Sequence, residues 1–430
     1  MQKRIIFVVK FSCILLLTGI VPLILCSGNE QDMSLLTLQN SEMLLNDWGG
    51  ANLIGHSFGS IGGYDYTGCL EAFEAKYNEG IRTFEVDFAM GSDGKILLCH
   101  DWNRGLQEGI NSGCIPTSEK FKKTLIYGKY TPLTFVDLLH LMKKYPDIWI
   151  VTDSKAVKEE EVRREFEEML KEAEQEDLLD VLDRMVVQIY NENMYDTINE
   201  VYPFYNYIFT MYMRWYGDLE EFEKICKWCV IHEIRTITMW NYSYNEKIRG
   251  IAQRYNIDVY VHTENDPKAG ANYLRSGVRG LYTDDITQEM LDDYSGMVKT
   301  VYFSGTHYNA DDYVLDGISE PEDGYSWTDG KRVYFYIPVE RDQSDLKVEI
   351  AIGEVLNGIQ QYEIIQSDSV ISSGQVSSGD IISFEASVQK EHCVFEMILP
   401  DIVAANDLNG EDNMRYPALQ LKQVTLYEKQ

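Results

Sequence analysis

Glu85 and Asp87 stand two residues apart in "RTFEVDF", and Asp153 and Lys155 do the same in "WIVTDSK". Residues i and i+2 of a strand share a face, so each pair projects together. Two histidines, His56 in "NLIGHSF" and His100 in "KILLCHDW", fall at the ends of neighbouring apolar runs. Three carboxylates gathered inside a fold repel one another and lose hydration, so without compensation at least one takes up a proton. A hard divalent cation removes that conflict. Ca2+ and Mg2+ prefer oxygen ligands, whereas zinc favours more nitrogen or sulfur. A histidine pair beside such a cation divides acid/base work, one ring removing a proton from a nucleophile and the other protonating a leaving oxygen. The competing reading makes the acids ordinary salt-bridge partners of Lys155 and Arg82.

The elements that must position these residues follow from the hydrophobic pattern. From about residue 52, short apolar runs alternate with amphipathic segments. Expected strands are "NLIGHSF", "RTFEVDF", "WIVTDSK", "MVVQIYN", "YIFTMYM", "RTITMWN", "DVYVHTE" and "VRGLYTD". Between them lie helical patterns such as "CLEAFEAKYNEG" and "EEEVRREFEEMLKEAEQ", several closed by Gly or Asn as C-terminal caps. Strand–helix alternation implies parallel pairing with both sheet faces covered. Eight units over about 245 residues match an α/β fold of the (β/α)8 TIM-barrel type. An open doubly wound sheet is the alternative, but no GxGxxG turn supports it. "KILLCHDW" forms a hairpin arm after the second strand, and "NRGLQEGINSGCIPTSEKFKKTLIYGKYTPLT" is a long insertion at the rim. In such a barrel the strand C-terminal ends face the active site. That adds Gln188, Trp240, His262 and Asp284 to the acids and histidines, with Gln188, Trp240 and His262 as candidate substrate contacts.

Beyond about residue 299 the period changes to two, in "RVYFYIPV", "LKVEIAI", "HCVFEMIL" and "LQLKQVTLYE". This pattern predicts an antiparallel β-sandwich of roughly 130 residues. Tyr325, Trp327 and Tyr334 are either core residues there or a carbohydrate-contacting surface. The expected organisation is an N-terminal segment 1–28, a barrel over 50–297 and a sandwich over 299–430.

The first segment, "MQKRIIFVVKFSCILLLTGIVPLILC", places Lys3 and Arg4 before an apolar run, as a signal peptide or N-terminal membrane anchor does. Cys26 also invites a lipoprotein reading, although Leu25 is larger than the small residue that usually precedes a lipidated cysteine. An extracytoplasmic setting, secreted or membrane-anchored, is expected. The formal net charge of −31 excludes nucleic acid as the main partner, since no basic surface is evident to neutralise phosphates. Hydrophobic content of 45% fills sizeable cores and excludes global disorder. Export would let Cys99 pair with Cys114. Cys226 and Cys229 form a CxxC inside a helical pattern, where packing is a better account than zinc or redox chemistry.

These motifs resemble the glycerophosphodiester phosphodiesterase family, among the phosphatidylinositol phospholipase C-like barrels. That family shows a first-strand HRG, then E-x-D, an HD in the hairpin, E-x-K on the third strand and a closing GVDGIxTD. "GHSFG", "FEVDF", "CHDW", "VTDSK" and "GVRGLYTDD" resemble these in order, over residues 52–296. The resemblance implies that Glu85, Asp87 and Asp153 ligate a divalent cation, Ca2+ or Mg2+. It makes His56 and His100 the acid/base pair, and Lys155 a phosphate contact. The implied activity is metal-dependent hydrolysis of a small or polymeric glycerophosphodiester. Alternatives are a phospholipase C- or D-like lyase on lipid or wall glycerophosphate polymers, and a non-catalytic surface binding protein. Ser57 replaces the arginine after the first histidine, and Asp153 replaces a glutamate. "YTGCLEAF", "QIYN" and "VHTEND" depart from the commoner forms, which bears on substrate choice more than on reaction type. The C-terminal part resembles, more weakly, a module appended to bacterial envelope and polysaccharide enzymes.

Overall fold

The computed structural model describes residue 48 and residues 51–106, 110–111, 113–214, 218–339, 345–402 and 416–429. The expected N-terminal signal or anchor, with Cys13 and Cys26, lies outside the described residues. Among the described residues no helix is long and apolar enough to cross a membrane.

Eight parallel strands close into a barrel: β1 Leu53–Gly55, β2 Thr83–Met90, β4 Trp149–Ser154, β5 Met185–Ile189, β6 Asn206–Thr210, β7 Thr236–Trp240, β8 Asp258–His262 and β9 Gly280–Thr283. Closure comes from β1 pairing with both β9 and β2, with Gly55 opposite Thr283 on one side and Phe84 on the other. β3, Ile96–Leu98, runs antiparallel to β2 and sets Leu98 opposite Phe88, which is the expected hairpin arm. The strands are buried along nearly their whole length, as covered parallel strands must be. Each fully buried phenylalanine, such as Phe84, Phe88 or Phe209, contributes about 1.5–3 kcal/mol through burial.

The outer helices are α1 Leu70–Asn78, α2 Ser118–Lys122, α3 Phe135–Lys144, α4 Glu159–Gln175, α5 Glu192–Val201, α6 Leu219–Ile231, α7 Glu246–Arg254, α8 Pro267–Arg275 and α9 Gln288–Asp292. Side-chain caps fix where several of them begin. Thr134 and Asp137 form a reciprocal capping box on α3, Asn191 and Asn245 cap α5 and α7, and Asp266 caps α8 ahead of Pro267. Cys226 and Cys229 lie on α6, free and buried in the barrel core, as packing predicts. Cys99 and Cys114 are also free, so the expected bridge is not formed.

After α9 the chain enters a ten-stranded antiparallel sheet. Its strands are β10 Met297–Tyr302, β11 Val314–Asp316, β12 Ser326–Trp327, β13 Arg332–Pro338, β14 Asp345–Val355, β15 Ile359–Gln366, β16 Ser369–Ser377, β17 Ile381–Gln389, β18 His392–Ile398 and β19 Leu419–Glu428. The order β10-β19-β14-β17-β18-β13-β11 makes one curled sheet whose two lobes meet at the β17–β18 hairpin and enclose an apolar core. Alternating burial along β13 and β18 matches the period-two pattern of the sequence. Tyr325 and Trp327 are half-buried and meet edge-to-face at 5.8 Å, with β12 pairing to β19. Tyr334, also half-buried, stands on β13, which pairs with β18 on the other lobe. None of the three is a fully buried core residue.

The barrel and the sheet share polar contacts. Asn272 on α8 receives the Thr300 backbone N–H at 2.7 Å and donates to the Thr300 carbonyl at 3.1 Å. The Lys268 ammonium donates to Thr425 at 3.2 Å. Lys299, 5% exposed, is neutralised by Glu246 at 3.3 Å and donates to Ser276 at 3.0 Å.

Candidate active site

β1 is shorter than its sequence pattern suggests. His56, Ser57 and Phe58 form a 3-10 turn immediately after Gly55, so His56 sits on a turn rather than on the strand. Ser57, Phe58 and Gly59 all have positive φ, of 46°, 67° and 89°. A strand cannot continue through that run. At Gly59 a Cβ would also meet Lys76 at 2.6 Å and the Asp284 carbonyl at 3.1 Å, so only glycine fits. The turn aims the Ser57 backbone N–H at Glu85 Oε2, 2.8 Å away.

Glu85 and Asp87 on β2 and Asp153 on β4 converge, each offering an oxygen within 4.8 Å of the others, and all three are buried. Register explains the meeting, because Asp87 lies directly opposite Asp153 across the β2–β4 pair. Lys155, just past β4, brings its ammonium to 2.7 Å from Asp87 and 2.5 Å from Asp153. Arg82 pairs instead with Asp147, at 2.8 Å. The salt-bridge reading is therefore met for Lys155 and not for Arg82. A single ammonium leaves the three acids two charges short of neutrality. Burial and the adjacent Asp87 accordingly push the Glu85 carboxyl well above the usual carboxylate range. Burial acts the same way on Asp87, but the charges of Lys155, His100 and His56 outweigh it and hold that carboxyl low.

His56 donates from Nδ1 to Asp284 Oδ1 at 2.8 Å, which leaves Nε2 free for chemistry. Asp284 is held in turn by Asn265, whose Nδ2 donates to Oδ2 at 2.7 Å and whose Oδ1 accepts the Asp284 N–H at 2.8 Å. Burial alone would lower the His56 pKa. The Asp284 hydrogen bond and the charge of Glu85 reverse that and raise it to about 9. His100 is different: it is half-buried, its Nδ1 has no partner, and burial draws its pKa below the ordinary imidazole value against the pull of Asp87. The Tyr66 ring touches both imidazoles, with centroids 4.5 Å from His56 and 4.5 Å from His100. Arg104 lies over the same ring at 4.5 Å.

Gln188, 1% exposed, donates to Asp153 at 3.0 Å and accepts from the Tyr282 hydroxyl at 3.1 Å. Both ends of its amide are engaged in orienting Asp153. The Tyr190 hydroxyl also donates to Asp153. His262 packs edge-on to His56 at 4.7 Å and against Tyr212 at 4.6 Å, and burial with the His56 charge pushes its pKa well down. Trp240 is half-buried and stacks at the mouth against Tyr242, with an interplanar angle of 7°. The fold thus brings His56, His100, Glu85, Asp87, Asp153, Lys155, Gln188, His262 and Trp240 to one end of the barrel.

Sequence reasoning did not assign Tyr66, Tyr190 or Asn265. Tyr190 follows Gln188 by two residues, so the strand period could have found it. Asn265 lies three residues past His262 at the same rim. Tyr66 comes from a loop with no periodic signal.

The three acids fit a hard divalent cation. Their donors are all oxygen, Asp87 Oδ2 is buried without a hydrogen-bond partner, and one ammonium faces three carboxylates.

No family model and no curated protein matches the sequence. Among solved structures, the chain is similar to a candidate glycerophosphoryl diester phosphodiesterase from Silicibacter pomeroyi, with 16% identity over 57% of this chain and 94% of that one and a TM-score of 0.48. It is similar at 15% identity to an Oleispira antarctica phosphodiesterase in complex with the product sn-glycerol-3-phosphate, over 57% and 97% of the two chains with a TM-score of 0.45. A glycerophosphodiester phosphodiesterase from Parabacteroides distasonis gives 15% identity over the same shares, 57% and 97%, with a TM-score of 0.43.

Proposed function

We propose that the chain is a metal-dependent phosphodiesterase acting on glycerophosphodiesters outside the cytoplasm. The observation that carries this reading is the convergence of three buried carboxylates, a lysine and two unlike histidines at the C-terminal mouth of a closed barrel. Glu85, Asp87 and Asp153 would hold a divalent cation. When bound, it would neutralise charge developing on a nonbridging phosphate oxygen. Lys155 reaches the mouth with its side chain 31% exposed and adds a second positive contact to the phosphate. His100, neutral and with an unpartnered ring nitrogen, accepts a proton from the attacking hydroxyl. That hydroxyl belongs either to water or to a neighbouring group of the substrate. His56, kept protonated by Asp284, donates from Nε2 to the departing alkoxide, a poor leaving group that needs acid assistance. Gln188 and Tyr190 orient Asp153, and Trp240 offers a flat apolar wall to the leaving alcohol.

The test is phosphorus NMR of products from a panel of glycerophosphodiesters with Ca2+ and with Mg2+. A phosphomonoester supports hydrolysis, a cyclic phosphate assigns the attack to a substrate hydroxyl, and no turnover with either metal overturns the reading.

The two imidazoles also set a pH profile. The acidic limb of kcat/KM is expected below the ordinary imidazole range, because burial lowers His100. The alkaline limb is expected no higher than about 9, set by His56. A bound cation offsets Glu85 and Asp87, which help raise His56, so saturating metal moves that limb down. A profile flat from pH 5 to 10 contradicts the assignment.

A further inference from the structure

Another buried carboxylate, outside the cation site, lies where the C-terminal sheet domain touches the barrel mouth. Glu264 is 2% exposed and stands two residues past His262, between β8 and α8. Its Oε1 accepts the Asp266 backbone N–H at 2.8 Å, and its Oε2 accepts from Asn241 Nδ2 at 3.1 Å. The same Oε2 lies 3.4 Å from Nδ1 of His307, in the turn Gly305–His307 that follows β10. Its backbone N–H donates to the Tyr282 carbonyl at 2.8 Å. One carboxylate therefore ties together the turn after β7, the start of α8 and the second domain, while the backbone of the same residue is tied to the barrel strand β9. Burial pushes the Glu264 carboxyl up, and the charge of His307 opposes that push. The neighbouring residue, Asn265, is the one that holds Asp284 from two sides, and Asp284 holds His56.

We propose that His307 and Glu264 are a positioning pair through which the C-terminal domain fixes the 262–266 segment and, by way of Asn265 and Asp284, the His56 imidazole. Neither touches substrate. A buried carboxylate with three partners loses its orientation when one partner is removed, and partners one step behind a metal ligand are typically worth about 10- to 100-fold in activity, an upper bound for a pair that acts through Asn265 and Asp284. Domain docking does not depend on the pair, because Asn272–Thr300, Lys268–Thr425 and Lys299–Glu246 also join the two domains.

The activity readout rests on the phosphodiesterase reading, whereas amide exchange does not, so both are measured on the full chain. His307→Ala is expected to lower kcat about 10-fold with KM within about twofold. It is also expected to speed exchange at the amides of Glu264, Asp266, Asp284 and Ser60, the last of which donates to the Asp284 carbonyl. His307→Gln, which keeps an N–H donor, is expected to restore most of both, and it carries the test if the alanine variant does not fold. Lys268→Ala is expected to match the wild type. Wild-type kcat and exchange in His307→Ala overturn the proposal, as does a lower kcat without faster exchange at those amides. Faster exchange in His307→Ala together with an inactive wild-type chain keeps the positioning pair and removes the phosphodiesterase reading.

Discussion

Glu85→Gln is expected to lower kcat on the order of 10^3-fold while leaving the metal-free protein at least as stable as the wild type. The loss of activity follows from removing one of the three buried oxygen ligands of the cluster. The stability result follows from linkage. Glu85 has a folded-state pKa well above its unfolded value, driven first by burial and then by Asp87. A group of that kind supports the fold while protonated, and its contribution is lost as pH rises from the ordinary carboxylate range through the raised folded value. Above the ordinary carboxylate range the fold must either bury that charge or keep a proton that the unfolded chain releases, and both work against folding. Glutamine removes that charge and still accepts the Ser57 N–H that Glu85 receives at 2.8 Å. Thermal unfolding with and without a divalent cation checks both halves. The wild type gains stability on adding the metal, and the variant gains much less. Full activity in a folded Glu85→Gln protein would remove the cation site from the mechanism.

The second large effect is at His56. His56→Ala is expected to cost about 10^2- to 10^4-fold in kcat with little change in KM, the range for losing a positioned acid. Asp284→Asn should cost less, about 10- to 100-fold, because the imidazole remains but its charge is no longer favoured. The asparagine variant carries a further signature. Asp284 is the largest favourable contributor to the raised His56 pKa, so its alkaline limb should fall toward the ordinary imidazole value. The double variant is expected to be no worse than His56→Ala alone, since the two residues act as a unit. Additive losses would separate Asp284 from His56 and assign it another role.

Much of this site was legible because strands advertise their faces. Acids at i and i+2 within an apolar run, as in Glu85 and Asp87, leave little doubt about which side they share, and β2 to β4 register brings Asp153 alongside. The barrel itself was legible from strand–helix alternation, and the curled sheet from its period of two. Other features do not project onto a periodic pattern. His56 leaves the strand because Ser57 and Phe58 take positive φ, which their side chains do not announce. Gln188 reads as a candidate substrate contact, yet barrel closure brings Tyr282 near enough to take its carbonyl while Asp153 takes its amide. Tyr66 reaches both histidines from an aperiodic loop. The Glu264–His307 contact joins residues from different domains, and only tertiary packing could reveal it.

The central claim is that the carboxylates of Glu85, Asp87 and Asp153 act by holding a divalent cation during phosphodiester cleavage. It is tested most directly by following one glycerophosphodiester by phosphorus NMR before chelation, after complete metal removal, and after adding back Ca2+ or Mg2+. The account predicts turnover that stops on chelation and returns with one of these metals. Turnover that continues undiminished in metal-free protein would contradict it.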